Sequence, residues 1–352
     1  MIPVQHVVLV SGLLIGILFG SIGLLSGFCI VTGLRNAWTR ADGRMIRSIA
    51  LALAVAILGT QSLAAAGLVD LGKSIYLQPS FSAPLILIGG LLFGYGMVAA
   101  NACASRAMIL LGGGNLRSLV VIVTVAVTAQ MTLKGLIAPA RIAFLNWSQI
   151  TLHQISLPAL LSASGAGTSL ATAVTALIVG GILLAYAFSY APFRASRMLI
   201  GAGVGIGLLV CAGWLATGYL GADPFEPTPV GSLTFIAPLA DSLQYVMLST
   251  GSTLSFGVVL MAGVLLGSFV TALTTRRFHL EGYTSANHML RSIGGAALMG
   301  SGGAMAYGCS IGQGLTGLST LAFSSAIAAA GILIGGWAAL RGPVRIPALA
   351  SA

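Results

Sequence analysis

Apolar residues in this chain come in long runs joined by short polar links. Mostly apolar runs fall near 7–33, 49–69, 84–104, 117–138, 168–190, 197–220, 254–274, 291–309 and 316–340. About 20 such residues wound as a helix cross the hydrocarbon core of a bilayer. The pattern therefore predicts nine membrane-spanning helices. Segments 70–82 and 140–166 are less apolar and are expected to be re-entrant or interfacial.

Composition excludes the alternatives. Hydrophobic residues make up 57% of the chain, charged residues 6%, and mean hydropathy is +1.02. A soluble protein carries about 25% charged residues, so this chain has too few to cover a water-facing surface. The apolar stretch after Met1–Gln5 has no basic residues before it, and is read as the first span instead of a cleaved leader.

The formal charge of +10 bears on orientation. With the N-terminus outside and nine alternating spans, only Lys73, Lys134 and Arg141 fall on the outer side. The remaining 13 of 16 Lys and Arg (16 less 3) fall inside. Cationic loops stay on the cytoplasmic side, so the partition predicts N-out and C-in. No basic patch is interleaved with aromatics, which argues against a nucleic-acid partner; the lipid bilayer is the expected surrounding. The longest outer loop, 221–253, carries Asp223-Pro224 and Glu226-Pro227 and is the candidate extracytoplasmic cap.

Three segments repeat around cysteines. Residues 85–103 and 291–309 match at Gly89/Gly295, Leu92/Leu298, Gly94/Gly300, Gly96/Gly302, Ala100/Ala306 and Cys103/Cys309. Residues 11–29 match 85–103 at Leu13/Leu87, Gly16/Gly90, Leu18/Leu92, Phe19/Phe93, Gly20/Gly94 and Cys29/Cys103. The fourth cysteine, Cys211, lacks the pattern and reads as a small buried hydrophobe. After each repeated Cys the chain turns glycine-rich or polar, as in Gly112-Gly113-Gly114-Asn115 and Gly312-Gln313-Gly314. Glycine disfavours a continuous helix, and a helix broken at membrane depth is how transporters build substrate sites. The expected fold class is therefore an all-α membrane protein of about nine transmembrane helices, with broken or re-entrant segments and pseudo-symmetric inverted halves. It reads as one integral membrane domain over 1–352, with approximate halves 1–166 and 167–352.

Such breaks expose backbone N–H groups, which favour anions. Gly312, Gln313 and Gly314 offer N–H groups and an amide, and Arg106, Asn115 and Arg117 flank the middle break. The assembly suits a small oxyanion; glycine for packing and arginine for topology is the competing reading. A neutral thiol is a weak donor and a soft contact, so Cys29, Cys103 and Cys309 fit an anion bearing soft sulfur, or else are packing residues. No carboxylate lies mid-span, and no nucleotide-binding or zinc-protease motif occurs. No cofactor, metal or catalytic residue is expected.

The stretches RSIGGAALMGSGGAMAYGCSIGQGLTGLS (291–319) and GYGMVAANACASRAMILLGGGNLR (94–117), with GLLSGFC (23–29), resemble the YeeE/YedE family of bacterial inner-membrane proteins. The resemblance covers essentially the whole chain. It implies thiosulfate import as a sulfur source, the anion passing along Cys29, Cys103 and Cys309 by S–H hydrogen bonding within an hourglass-shaped fold. Some members are associated with selenium metabolism or TusA-like sulfur carriers, so another sulfur or selenium species, or persulfide transfer to such a cytoplasmic carrier, are the alternatives. One departure is visible: Asn101-Ala102 precedes the middle cysteine where a glycine is expected.

Overall fold

A computed structural model of the chain describes residues 4–152, 154–162, 167–222 and 228–342. The expected cap residues Asp223 and Glu226 lie outside the described residues. In chain order the helices are α1 (Val4–Ser26), α2 (Ile30–Thr39), α3 (Arg44–Ala65), α4 (Ala83–Ala99), α5 (Ala104–Gly112), α6 (Leu116–Leu133), α7 (Ala138–Ser148) and α8 (Leu157–Ser162). They continue as α9 (Thr168–Phe188), α10 (Ala191–Arg194), α11 (Arg197–Leu215), α12 (Ile236–Met247), α13 (Phe256–Thr274), α14 (Ala286–Met305) and α15 (Phe323–Leu340). The protein is an all-α membrane protein. Among the described residues, sheet is confined to one small pair, β1 (Ser80–Phe81) with β2 (Ile150–Thr151), antiparallel with Ser80 opposite Thr151.

Among the described residues, eight helical segments are long and apolar enough to cross a membrane. The ninth expected run forms α14, whose Arg291, serines and glycines lower its hydropathy. It is sheltered by packing between α4 and α6. Side-chain caps start several helices. Ser82 accepts from the Leu85 N–H ahead of Pro84, Asn115 accepts from Ser118, and Ser255 and Ser285 accept from Val258 and His288. The less apolar 70–82 and 140–166 segments form a short 3₁₀ turn at Leu71–Lys73, the β1–β2 pair, and α7 and α8.

Small residues set the helix contacts. Without a hydrophobic force between helices in lipid, close backbone approach supplies the attraction. On α1, Gly12, Gly16 and Gly20 lie against the backbones of Phe256, Leu260 and Val264 of α13, so the two helices run parallel. On α4, Gly90 and Gly94 lie likewise against Ala328 and Ile332 of α15. This is one interface used twice: adding 74 carries Gly16 and Gly20 to Gly90 and Gly94, and adding 68 carries Leu260 and Val264 to Ala328 and Ile332. A third pair, α11 with α3, places Gly203 and Gly207 against Ser48 and Ala52. A fourth, α14 with α6, places Gly300 against Val125 and Ala129.

Read along the chain, the long described helices other than α9 fall into four successive units: α1 and α3, α4 and α6, α11 and α13, and α14 and α15. The first helix of each packs beside the second helix of the unit two places away. The helix α9 stands apart and lies antiparallel on α3, with Gly180 near Leu58 and Ala187 beside Leu51. Helices α4 and α14 cross antiparallel, with Gly89 against Gly302 and Gly96 against Gly295. Adding 206 carries Gly89 to Gly295 and Gly96 to Gly302. The contact is therefore exchanged with itself, as at a two-fold axis. Likewise, adding 207 carries Leu116–Leu133 onto Phe323–Leu340, the bounds of α6 and α15.

A side chain at Gly94 would collide with the Ile332 carbonyl and the Gly336 amide, both backbone, whereas Gly181 faces open space. Overpacking of this kind costs about 1–3 kcal/mol or more. Gly94→Leu is expected to lower the thermal unfolding midpoint of the purified protein by several degrees or abolish its recovery as a monodisperse species. Gly181→Ala should leave both unchanged.

Candidate functional site

Each repeated cysteine ends one helix and starts another. Two residues before it, the backbone turns left-handed: φ is +68° at Gly27, +59° at Asn101 and +56° at Tyr307. That single reversal breaks the helix. The cysteine carbonyl then accepts the first bond of the next helical turn, from Gly33 N–H at Cys29, Ala107 N–H at Cys103 and Gln313 N–H at Cys309. Cys29 and Cys103 are the extended residues heading α2 and α5. The glycine missing before Cys103 is not needed, because the left-handed residue is Asn101, and asparagine tolerates that conformation. A Gly or Asn two places before a cysteine was the signal available for two of the three turns; Tyr307 gave none.

The structure brings Cys29 and Cys103 together. Both are buried, and their thiols interact, with Thr32 beside Cys29 and the Ser105 hydroxyl 3.3 Å from the Cys103 sulfur. Arg106 stands next to this pair: its Nη1 donates to the Gly23 carbonyl at 3.1 Å, tying α5 to α1, and its charge reaches Cys29. Cys309 lies elsewhere, among Tyr76, Phe235 and its own turn. Its sulfur accepts the Gly312 N–H at 3.2 Å, which leaves the thiol hydrogen to point at another acceptor. Phe235 connects the two regions: its backbone approaches Cys309, and its ring packs 5.2 Å from Phe19 on α1, the helix that ends at Cys29. Cys211 sits on α11 against Gly59 and the Val55 carbonyl of α3, a packing contact.

The third turn is wider than an α-helix: Thr316 N–H reaches the Ile311 carbonyl, five residues back. It is held from several sides. Gln61 of α3 donates to the Ser319 carbonyl at 2.7 Å, Trp214 of α11 donates to the Ser319 hydroxyl, and Thr316 donates to Leu233. Gln313 donates to the Ala306 carbonyl at 2.6 Å, while its Oε1 has no partner among the described residues. Gly314 is the open member of the turn, with nothing over its backbone. A cavity of about 480 Å³ opens on the face opposite the arginine-rich loops and is separated from this turn by Thr234. Val8, Tyr76, Thr217, Thr234, Phe256 and Leu260 are among its walls. Thr234 is its inner end, with its hydroxyl against Gly312.

Asn115 and Arg117 stand at the turn that a strap clasps. Residues 275–285 form a strap between α13 and α14 that clasps the Gly113–Arg117 turn. Leu116 N–H donates to Glu281, Glu281 N–H to Gly114, and His279 N–H to Gly113. The side chains add Asn115 Nδ2 to Glu281 Oε2 at 2.8 Å and Arg117 Nε to the Gly282 carbonyl at 2.6 Å. Gly114, at φ +97°, passes against the His279 carbonyl. The triple glycine is therefore the seat of the strap. Sequence spacing alone gave no sign of it, since the partners lie over 160 residues apart.

A transport architecture with helices broken at buried cysteines is the class these features define. The chain matches the sulphur-transport family over residues 25–338 and belongs to it. It is similar to the thiosulfate transporter TsuA of Escherichia coli, at 26% identity over 342 residues, 94% of this chain and 93% of the relative. It is also similar to the thiosulfate transporter TsuA of Spirochaeta thermophila, at 25% identity over 341 residues, 93% of this chain and 96% of the relative. The chain is a multi-pass membrane transporter of a sulfur compound.

The strap carries an exposed titrating pair. His279 is held above the ordinary imidazole range by its bond to the Arg277 carbonyl and then by Glu281, 2.8 Å away. A raised folded-state value means that the protonated pair steadies the strap fully below about pH 6.5. That contribution is lost as pH rises through the imidazole's folded value. Hydrogen-exchange protection factors at Leu116 and Glu281, corrected for intrinsic rates, should fall over that window. In Glu281→Gln the fall should shrink but persist, because the Arg277 carbonyl still holds the protonated imidazole.

Proposed function

We propose that the chain imports thiosulfate across the bacterial inner membrane for sulfur assimilation, with the N-terminus periplasmic and the C-terminus cytoplasmic. In this reading the whole chain is one transport domain of two inverted halves. The anion enters the cavity that ends at Thr234, meets Cys309, and leaves past Cys29 and Cys103. The observation that carries the reading is the common setting of the three cysteines. Each is buried at a left-handed break, at the start of a new helical turn whose first N–H groups face back along the chain.

Neutral thiols suit such a path. They donate weakly and carry no fixed charge, so an anion is bound without being trapped, as conduction requires. The Gly312 N–H on the Cys309 sulfur supports a donor role for that thiol. Arg106 lends positive potential beside the Cys29–Cys103 pair without a direct place in the row. The names of the two relatives support thiosulfate as the cargo. The 13-to-3 charge partition supports the orientation. On the cytoplasmic side the receiving partner is thiosulfate-consuming chemistry or a TusA-like sulfur carrier.

Loss of one donor of about 1–1.5 kcal/mol corresponds to about a tenfold change. In cells lacking other sulfate and thiosulfate uptake, with thiosulfate as sole sulfur source, Cys29→Ala, Cys103→Ala and Cys309→Ala should each cut uptake about tenfold. Normal growth of all three would exclude the thiol row. Thiosulfate labelled at each sulfur should arrive intact inside; sulfite left outside would instead mean persulfide transfer.

A further inference from the structure

The two-fold relation between α4–α6 and α14–α15 makes each residue of one unit comparable with its twin in the other. The turn before Cys309 rests in an apolar cluster: Tyr307 packs with Phe81, Ile86, Ala306 and Ala328. Its twin is open and polar. Adding 206 to Ala100 and Asn101 gives Ala306 and Tyr307; subtracting 206 from His288 and Ser292 gives Ser82 and Ile86. Adding 207 to Arg117, Ser118 and Val121 gives Ser324, Ser325 and Ala328. Where one copy has Tyr307, Ile86 and Ser324, the other has Asn101, Ser292 and Arg117. The residues that would fill the space are gone, and a cavity of about 80 Å³ takes their place.

We propose that this cavity, lined by Asn101, Asn115, Arg117, Ser118, His288 and Ser292, is a binding site for one small oxyanion such as sulfate or thiosulfate. Ser118 and Ser292 are 5% and 2% exposed, and neither hydroxyl has a hydrogen-bond partner among the described residues. Both line this cavity, and a hydroxyl there can donate to a bound oxyanion. Arg117 spends only its Nε on Gly282, which leaves the fork of Nη donors that oxyanions take. Glu281 does not line the cavity, its carboxylate being taken by Asn115 and His279. The guanidinium of Arg291 adds positive potential at His288. The cavity wall includes Asn101 and Ala102, adjoining Cys103. Its use as the last stage of the thiosulfate path rests on the reading above; the site itself does not.

The test uses the full chain in lipid nanodiscs, with sulfate and thiosulfate as probes. The imidazole resonance of His288, one of four histidines and assigned with His288→Gln, reports occupancy. Sulfate should shift it saturably, and the shift should persist when Cys29, Cys103 and Cys309 are all alanine. Arg117→Gln removes charge-assisted bonds, and Asn101→Tyr restores the twin's filler at a position where Tyr307 already adopts the same backbone turn. Each should weaken binding at least about tenfold, with unfolding midpoints confirming that both variants are folded. Thiosulfate competing for the same shift places the site on the path, and sulfate acting alone makes it a separate oxyanion site; both uphold it. No saturable shift with either anion, or one of unchanged affinity in both variants, overturns it.

Discussion

A polypeptide that leaves the helix inside a bilayer must find partners for every N–H and C=O it frees, because lipid offers none. The three cysteine turns solve this with one left-handed residue each. Reversal at Gly27, Asn101 or Tyr307 ends the incoming helix, and the cysteine carbonyl two residues on opens the outgoing one. Groups that remain unpaired within the turn are met from elsewhere in the fold. Gln61 and Trp214 brace the turn after Cys309, and the strap braces the one after Cys103. The cost of the breaks is thus offset by segments distant in sequence, which ties the site's geometry to the whole assembly.

That dependence explains why the helix packing is so regular. The braces can act only if the helices bearing them hold a fixed register. Register is set by backbone contact at glycine, where a shift by one residue would put a side chain into a carbonyl. The parallel interface of α1 with α13 and of α4 with α15 is the same interface to the residue. Exchange of partners between units two places apart further means that no unit is complete alone. Glycine serves two structural purposes in separate places: Gly16, Gly20, Gly90 and Gly94 pack helices, while Gly27 and Gly114 carry left-handed turns.

Spans and breaks were legible because both rest on local signals. Apolar runs placed every long helix to within seven residues at either end, and cysteine-centred repeats located the turns. The 291–309 run was visible in the sequence even though α14 is too polar to pass on hydropathy; its shelter between α4 and α6 is a tertiary fact. What was not legible is non-local. Asn115 and Arg117, read as flanking an anion break, bind a strap more than 160 residues away. The grouping of Cys29 with Cys103, apart from Cys309, depends on how α1 and α5 meet through Arg106 and Gly23. The 316–340 run begins as a helix only at Phe323, because the wide turn and Leu321, at φ +58°, come first.

Duplication gives this fold its own internal control. Two copies of one scaffold see the same backbone, so a difference between twin residues is not demanded by folding. Where twins agree, as at Gly94 and Gly300, the packing requires it. Where they part, function is free to act. Ser118 and Ser325 are both buried serines, but the Ser325 hydroxyl is sealed against Gly317 without a partner among the described residues, and Ser118 faces a cavity with a guanidinium. The asymmetry also gives the two faces of the molecule different chemistry. One offers a wide cavity ending at Thr234, and the other a small polar recess beside Cys103. Along the proposed path, unlike ends can favour passage in one direction only when something outside it, such as a gradient or a consuming reaction, supplies the free energy.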